Sequence, residues 1–152
     1  MKDVKMVDIT EKVESFRTAT AVGRIKLRKE TLRRILEGLV EKGDVFSVSK
    51  IVAISGAKKT SDLLPFCHPV PITNVSVDIR PYDHGLEVEV TVKSVAKTGV
   101  EMEALTGVTL ALLNIWDMVK KYEKDEKGQY PYTVIEEIRV VKKEKHPLSE
   151  DK

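Results

Sequence analysis

The chain has 152 residues, a length that predicts one domain whose core is large enough to need no disulfide or metal staple. Its 26 Lys and Arg residues against 24 Asp and Glu leave a net charge of +2, which argues against bulk binding of nucleic acid or of an anionic membrane surface. The composition, 41% hydrophobic and 33% charged residues, is typical of a globular protein. The sequence shows no apolar run of the roughly 18 residues that a membrane span needs, and its N-terminus does not resemble a secretory signal. We therefore expect a cytoplasmic protein. One cysteine and three histidines are too few for an ordinary zinc site, so we expect no metal and no other cofactor.

The first half of the chain predicts a strand followed by two helices. Alternating apolar residues over 19–27 indicate a strand, and a helical period from Arg28 through Leu39 indicates an amphipathic helix that Gly43 closes. Asp44 is placed to cap a second helix. The expected inner side of that helix carries Val45, Val48, Val52 and Ser55, and three prolines make 56–71 a rigid loop.

The second half predicts a hairpin, a long helix and a last strand. Residues 75–79 and 86–92 alternate apolar and polar side chains on either side of a turn. A capping box of Thr98 and Glu101 starts a helix at about 99, and a strand begins near Val134 before a flexible charged tail from about 144. This order predicts an α+β domain of the ferredoxin-like split βαβ type, with an antiparallel sheet and its helices packed on one face.

The proline-flanked loop and the long helix hold the candidate functional side chains. Cys67 and His68 lie in the loop. The residues alone favour a non-functional explanation, in which Cys67 fills buried space and His68 is hydrogen-bonded within the loop. In the helix, Glu101 is explained by the cap, and Asp117 with Lys120 could be an ordinary surface ion pair. Glu103 and Asp117 are fourteen residues apart, about 21 Å along a helix at 1.5 Å per residue, so one small ligand cannot touch both. If both are functional, sites are shared between subunits.

Lysines gather at the ends of the predicted elements. Helix dipoles favour cations at such positions, but several converging lysines would make a pocket for a multiply charged anion such as a triphosphate. No glycine-rich P-loop is present. The lysines in question are Lys42, Lys58, Lys59, Lys120, Lys142 and Lys143.

The chain contains several long and specific runs of sequence. They are MVDIT near the start, TATA after Arg17, KGDV at 42–45, AKKTSDLLPFCHPVPI at 57–72, KTGVEMEALTGV at 97–108 and IWDMVKKY at 115–122. Together, over about residues 6–143, these runs resemble the MoaC family of cyclic pyranopterin monophosphate synthases in molybdenum cofactor biosynthesis. The resemblance implies a ferredoxin-like homohexamer, a trimer of dimers, with active sites at subunit interfaces. The implied lyase reaction converts 3′,8-cyclo-7,8-dihydro-GTP, supplied by a radical SAM GTP cyclase, to cyclic pyranopterin monophosphate and pyrophosphate.

The resemblance also implies the roles of individual residues. Asp117, Lys42 and Lys120 match the catalytic positions of the family. The positions implied in substrate binding are Phe66, Cys67, His68, Met102 and Glu103, with the basic residues Arg17, Lys58 and Lys143 for the phosphates. After Lys143 the chain continues as EKHPLSEDK, where the family often has a GGKSG-like tail.

Two other functions are compatible with the same predicted fold. A non-catalytic nucleotide-binding or RNA-binding module would need aromatic residues on its sheet, and neither strand of the hairpin shows one on a visible face. A metal-dependent hydrolase would need His68, Glu101 and Glu103 to converge on one ion.

Overall fold

The computed structural model describes residues 1–149 as one four-stranded antiparallel sheet with helices against it. The sheet has the order β2-β3-β1-β4. The ferredoxin-like α+β arrangement is confirmed. The elements are β1 (Ser15–Lys26), α1 (Lys29–Leu36), α2 (Val45–Lys58), α3 (Thr60–Leu63), β2 (Ile72–Tyr82), β3 (Gly85–Ala96), α4 (Glu101–Glu123) and β4 (Val134–Pro147).

The core lies between the inner face of the two central strands and helices α2 and α4. Each central strand turns every second side chain into this layer, so the predicted alternation of β1 and β3 is confirmed. Helix α4 approaches its neighbours closely, because a Cβ on Gly107 would lie 3.0 Å from the backbone oxygen of Ala53 and 3.2 Å from Val90. The fully buried aliphatic side chains include Ile25, Leu86, Val88, Val90, Val92, Val108, Leu112 and Ile115.

Helix α4 is also long and apolar enough to cross a membrane by length and composition alone. Half of its most apolar window is buried inside the protein. Its apolar character is therefore accounted for by contact with the sheet and with α2.

The prediction that α1 extends to Gly43 was wrong. The helix ends at Leu36, and Gly38 follows with φ of +70°, a conformation that terminates helices. The Leu39 amide then bonds to the Arg34 carbonyl at 2.8 Å, which closes the last turn. Gly43, with φ of +116°, instead shapes the turn that precedes α2.

The predicted N-cap of α2 is confirmed, because the Asp44 carboxylate accepts a hydrogen bond of 3.2 Å from the Ser47 amide. The prediction of which side chains of α2 face the core was wrong. Val45 is buried, but Val48 is exposed, and the other buried positions carry small side chains: Ser49, Ala53, Gly56 and Ala57. Close contact with α4 selects small residues over large ones at this interface. The segment 56–71 is likewise not one loop, because α2 continues to Lys58 and α3 occupies Thr60–Leu63.

The predictions for the start of α4 and for the end of β4 were wrong. Helix α4 has Val100 at its N-cap with no side-chain hydrogen bond, so Thr98 and Glu101 form no capping box. The tail is not frayed from 144, because β4 pairs with β1 as far as Pro147 opposite Ser15. Backbone pairing along the free edge of β1 requires no apolar side chains, and charged residues are typical of an edge strand. Residues 150–152 of the predicted tail lie outside the described part of the chain.

The carboxylate of Glu123 ties the end of α4 to two other segments. It is fully buried and accepts hydrogen bonds from the Arg28 amide at 3.2 Å, from the Thr133 hydroxyl at 2.7 Å and from the Thr31 hydroxyl. One side chain thereby joins the start of α1, the end of α4 and the approach to β4.

We predict that Glu123→Ala lowers the free energy of unfolding by about 3 kcal/mol, since it strands three donors and hydrogen bonds to charged groups are worth about 1.5–3 kcal/mol each. Urea denaturation measures the change, with the exposed Glu126→Ala as the matched control. A loss under about 1 kcal/mol would contradict the structural role of this carboxylate.

Candidate functional site

The predicted site residues fall into two clusters at opposite ends of α4. The amino-end cluster comprises Phe66, Cys67, His68, Met102 and Glu103 with the charged residues Arg17, Lys58, Glu101 and Lys143. The carboxyl-end cluster comprises Lys42, Asp117 and Lys120. Helix α4 runs without interruption from Glu101 to Glu123, so the separation of about 21 Å between Glu103 and Asp117 holds within one chain.

A cavity of about 460 Å³ forms the centre of the amino-end cluster. The loop after α3 lines one side of it and the first turn of α4 lines the other. The Cys67 amide donates to the Leu64 carbonyl at 3.0 Å, which turns the loop back towards the helix. The lining residues are Leu64, Pro65, Phe66, Cys67, His68, Thr98, Gly99, Glu101 and Met102.

Glu103 is held in a buried position beside the cysteine. Its side chain is only 3% exposed, and the Cys67 thiol lies 3.9 Å from its Oε2. Burial, reinforced by the negative charge of Glu101, raises the pKa of Glu103. Burial and the Glu103 carboxylate together raise the pKa of Cys67. Cys67 is therefore a protonated thiol at neutral pH, which is a poor nucleophile.

Glu101 has the opposite electrostatic environment. Burial by itself would raise its pKa, but the ion pair with Lys143, a backbone hydrogen bond from its own amide and, least, the charge of Arg17 together outweigh burial, and the pKa of Glu101 is lowered. The pKa values of two carboxylates two residues apart are thus shifted in opposite directions. Such an arrangement favours the protonated form of one group and the ionised form of the other. Sequence reasoning had explained Glu101 as a helix cap and so missed this contact.

Arg17 and Lys58 also lie within reach of this cluster. Arg17 is buried, and its guanidinium donates to the carbonyls of Ala96 and Lys97 at 3.4 and 3.3 Å. Lys58 is the last residue of α2 and lines a small cavity of about 60 Å³ together with Glu103. The chain fold therefore brings every predicted binding residue to one end of α4.

The N-terminal segment forms a second wall that sequence reasoning did not assign to the site. A cavity of about 430 Å³ is lined by residues 6–10 together with His68 and Lys97. The Lys97 ammonium fixes the segment by donating to the Thr10 carbonyl at 3.2 Å. Hydrogen bonds from Thr10 lower the pKa of Asp8, with smaller effects from the charges of His68 and Lys97. His68 belongs to both cavities and thus marks their junction.

The carboxyl-end cluster is an exposed carboxylate held between two ammonium groups. Lys42 Nζ lies 3.2 Å from Asp117 Oδ2 and 3.0 Å from the Asp117 carbonyl oxygen, and Lys120 Nζ lies 3.1 Å from Oδ1. Hydrogen bonds from Lys120 and then Lys42 lower the pKa of Asp117. The group carries one net positive charge at neutral pH and faces solvent with all three side chains about half exposed.

The described residues, 1–149, contain no group of three or more His, Cys, Asp and Glu side chains suited to a metal ion. The metal-dependent alternative required His68, Glu101 and Glu103 to converge. Instead, Glu101 pairs with Lys143, and Glu103 contacts the Cys67 thiol.

Comparison with known proteins gives consistent matches along nearly the whole chain. A model of the MoaC family matches residues 6–146. A probable cyclic pyranopterin monophosphate synthase of Pyrococcus furiosus is 55% identical over 97% of this chain and 95% of its own length. A protein of Sulfurisphaera tokodaii with the same name is 57% identical over 94% of this chain and 95% of its own length. A protein of Methanothermobacter thermautotrophicus, named a probable accessory protein of that synthase, is 52% identical over 97% of this chain and 92% of its own length.

We predict that Cys67, the single cysteine, reacts with iodoacetamide more slowly at neutral pH than a free thiol and that its reaction midpoint lies at a higher pH, because its pKa is raised. Removing the neighbouring charge with Glu103→Gln lowers the midpoint of the reaction, because the Glu103 carboxylate opposes thiolate formation. Mass spectrometry of the alkylated protein across pH measures both midpoints, with Glu126→Gln as the remote control. Alkylation of the wild type at neutral pH as fast as that of a free thiol would contradict the raised pKa of Cys67.

Proposed function

The chain belongs to the MoaC family, and on that basis we propose that it is a cyclic pyranopterin monophosphate synthase of molybdenum cofactor biosynthesis. The observation that carries this proposal is 55% identity over 97% of the chain to a relative with that name. The proposed reaction converts 3′,8-cyclo-7,8-dihydro-GTP to cyclic pyranopterin monophosphate with release of pyrophosphate. The enzyme is accordingly a phosphorus-oxygen lyase.

The carboxyl-end cluster is proposed as the catalytic group. Opening the purine ring by water, closing the pterin ring and forming the cyclic phosphate all require proton transfers, which positioned acids and bases supply. Asp117, kept ionised by its two lysines, accepts a proton. Lys42 and Lys120 donate protons and stabilise the negative charge that develops on the departing pyrophosphate.

The amino-end cluster is proposed as the binding half of the site. Its cavity of about 460 Å³ has the size of ordinary ligand pockets, and Phe66 and Met102 offer exposed apolar surface at its edge. His68, Cys67 and Glu103 supply hydrogen-bonding groups. Lys58 attracts the phosphates directly. Lys143, paired with Glu101, and Arg17, already bonded to two carbonyls, contribute their charges.

The two halves are proposed to meet between subunits of a homohexamer, a trimer of dimers. The supporting argument is the length of α4, since one compact ligand cannot span about 21 Å to touch both ends of the same helix. Apolar side chains on the outer faces of α2 and α4, Ile51 and Leu113, are 66% and 56% exposed and suit burial against another copy.

The proposed setting is the cytoplasm, downstream of a radical SAM GTP cyclase. That upstream enzyme carries out the redox step and supplies the cyclic dihydro-GTP intermediate, so the reaction here consists of hydrolysis, ring closure and phosphate transfer. No nucleic acid or membrane partner is part of the proposal.

A second candidate is an accessory role in the same synthesis, favoured by the name of the Methanothermobacter relative. An accessory protein would not turn over the substrate alone. Incubating the purified chain with enzymatically prepared cyclic dihydro-GTP and measuring pyrophosphate separates the two candidates.

We predict that Lys42→Ala and Asp117→Ala each lower turnover by about 100-fold or more, the usual contribution of a positioned acid or base. Thermal melts should stay close to the wild type because both side chains are about half exposed. Lys124→Ala, an exposed lysine just beyond α4, is the control. Activity within about threefold of wild type would remove that residue from the catalytic group.

We predict that mixing Glu103→Gln with Asp117→Asn under subunit exchange restores part of the activity. Some interfaces then contain both intact residues if the site is shared between chains. Exchange is checked with two differently tagged variants. Verified exchange without recovered activity would contradict the shared site.

A further inference from the structure

The turn between α1 and α2 carries Lys42 and is fixed at both of its ends. Val40 is buried in the core just before it. Asp44 caps α2 just after it. Gly43 adopts a left-handed φ of +116°, and its amide bonds to the Val40 carbonyl at 3.1 Å. Only Glu41 and Lys42 lie between these fixed points, so whatever holds Glu41 also determines where Lys42 can reach.

Tyr122 on the last turn of α4 holds Glu41 by its backbone. The Glu41 amide donates a hydrogen bond of 2.9 Å to the Tyr122 hydroxyl. The tyrosine ring has the Arg34 guanidinium 4.8 Å from its centre and the Lys121 ammonium at 5.5 Å. These contacts connect the residue next to Lys42 to the same helix that carries Asp117.

A second contact, an ion pair, also joins the turn to α4, but it restrains the backbone less. Glu41 and Lys121 form an ion pair, but their side chains are 68% and 60% exposed. Water and salt screen such a pair, and two long side chains must be ordered to form it. The Tyr122 hydrogen bond is also exposed to solvent, but the hydroxyl sits on a rigid ring and binds a backbone group, so it restrains the main chain itself.

We propose that Tyr122 is a positioning residue for Lys42. The inference rests on the catalytic role proposed for Lys42. A lysine side chain has four rotatable bonds, and its ammonium meets both the carboxylate and the carbonyl of Asp117 only if its backbone stays in place. The Tyr122 hydroxyl holds that backbone on α4, and misplacement of a reacting group by about 1 Å can cost 100-fold in rate.

The test removes only the hydroxyl. Tyr122→Phe in the full chain keeps the ring and its contacts with Arg34, and we expect kcat to fall about tenfold while KM stays within about twofold. Hydrogen exchange followed by mass spectrometry should show faster exchange in residues 38–44 and unchanged exchange in α4. The matched control is Tyr82→Phe, because the Tyr82 hydroxyl is buried and has no hydrogen-bond partner among the described residues.

A kcat within about twofold of the wild type would overturn the proposal, as would a fall in kcat accompanied by a lower melting temperature and faster exchange throughout the chain. The Lys42→Ala variant is assayed in parallel. If that variant stays active, the catalytic role of Lys42 fails. Unchanged exchange in residues 38–44 of Tyr122→Phe would separately show that the hydroxyl does not hold the turn.

Discussion

The close packing of α4 between the sheet and α2 is the constraint on which the rest of the structure depends. Glycine and alanine at the contact let the helix backbones approach, as the 3.0 Å from a Cβ on Gly107 to the Ala53 carbonyl oxygen illustrates. A helix that buries one face along its whole length can neither bend nor break at its centre without opening the core. The two clusters of candidate site residues are therefore kept apart by the same packing that stabilises the domain, and this separation is the physical basis of the proposal that the site is shared between subunits.

The charges at the two ends of α4 agree with the helix dipole, but the dipole does not explain them fully. Carboxylates at the start and lysines at the end are what a helix favours on electrostatic grounds, with Glu101 and Lys120 as examples. That preference is small compared with the cost of fully burying a charge. Glu103 is 3% exposed with a raised pKa, so its burial opposes ionisation and costs stability at neutral pH. A buried carboxylate beside a cavity is the feature that points to function rather than to helix stabilisation.

The elements that could be predicted from the sequence are those whose buried side chains recur with a regular period. Strands β1 and β3 and helix α4 alternate or repeat their apolar residues clearly, and the order of elements then leaves few topologies. The inner side of α2 could not be predicted in this way, because its tight contact with α4 buries Ser49, Ala53 and Gly56 in place of valines. The end of β4 was missed for a related reason, since an edge strand pairs through its backbone and its charged side chains carry no apolar signal.

The candidate site likewise contains residues that are neighbours in sequence and contacts between residues that are far apart in sequence. Side chains within runs such as FCHP and WDMVK lie close together in the fold simply because they are neighbours in the sequence. The environment of Glu101 instead depends on the register of β4 on β1, which places Lys143 opposite Ala19 and within an ion pair of the carboxylate. The contact of Tyr122 depends on Glu41, which lies 81 residues earlier in the chain and whose amide donates to the tyrosine hydroxyl. Residues with such distant partners leave no periodic or spacing signal. The candidate catalytic groups could therefore be named from the family resemblance of the sequence, whereas the contact proposed to position Lys42 is visible only in the fold.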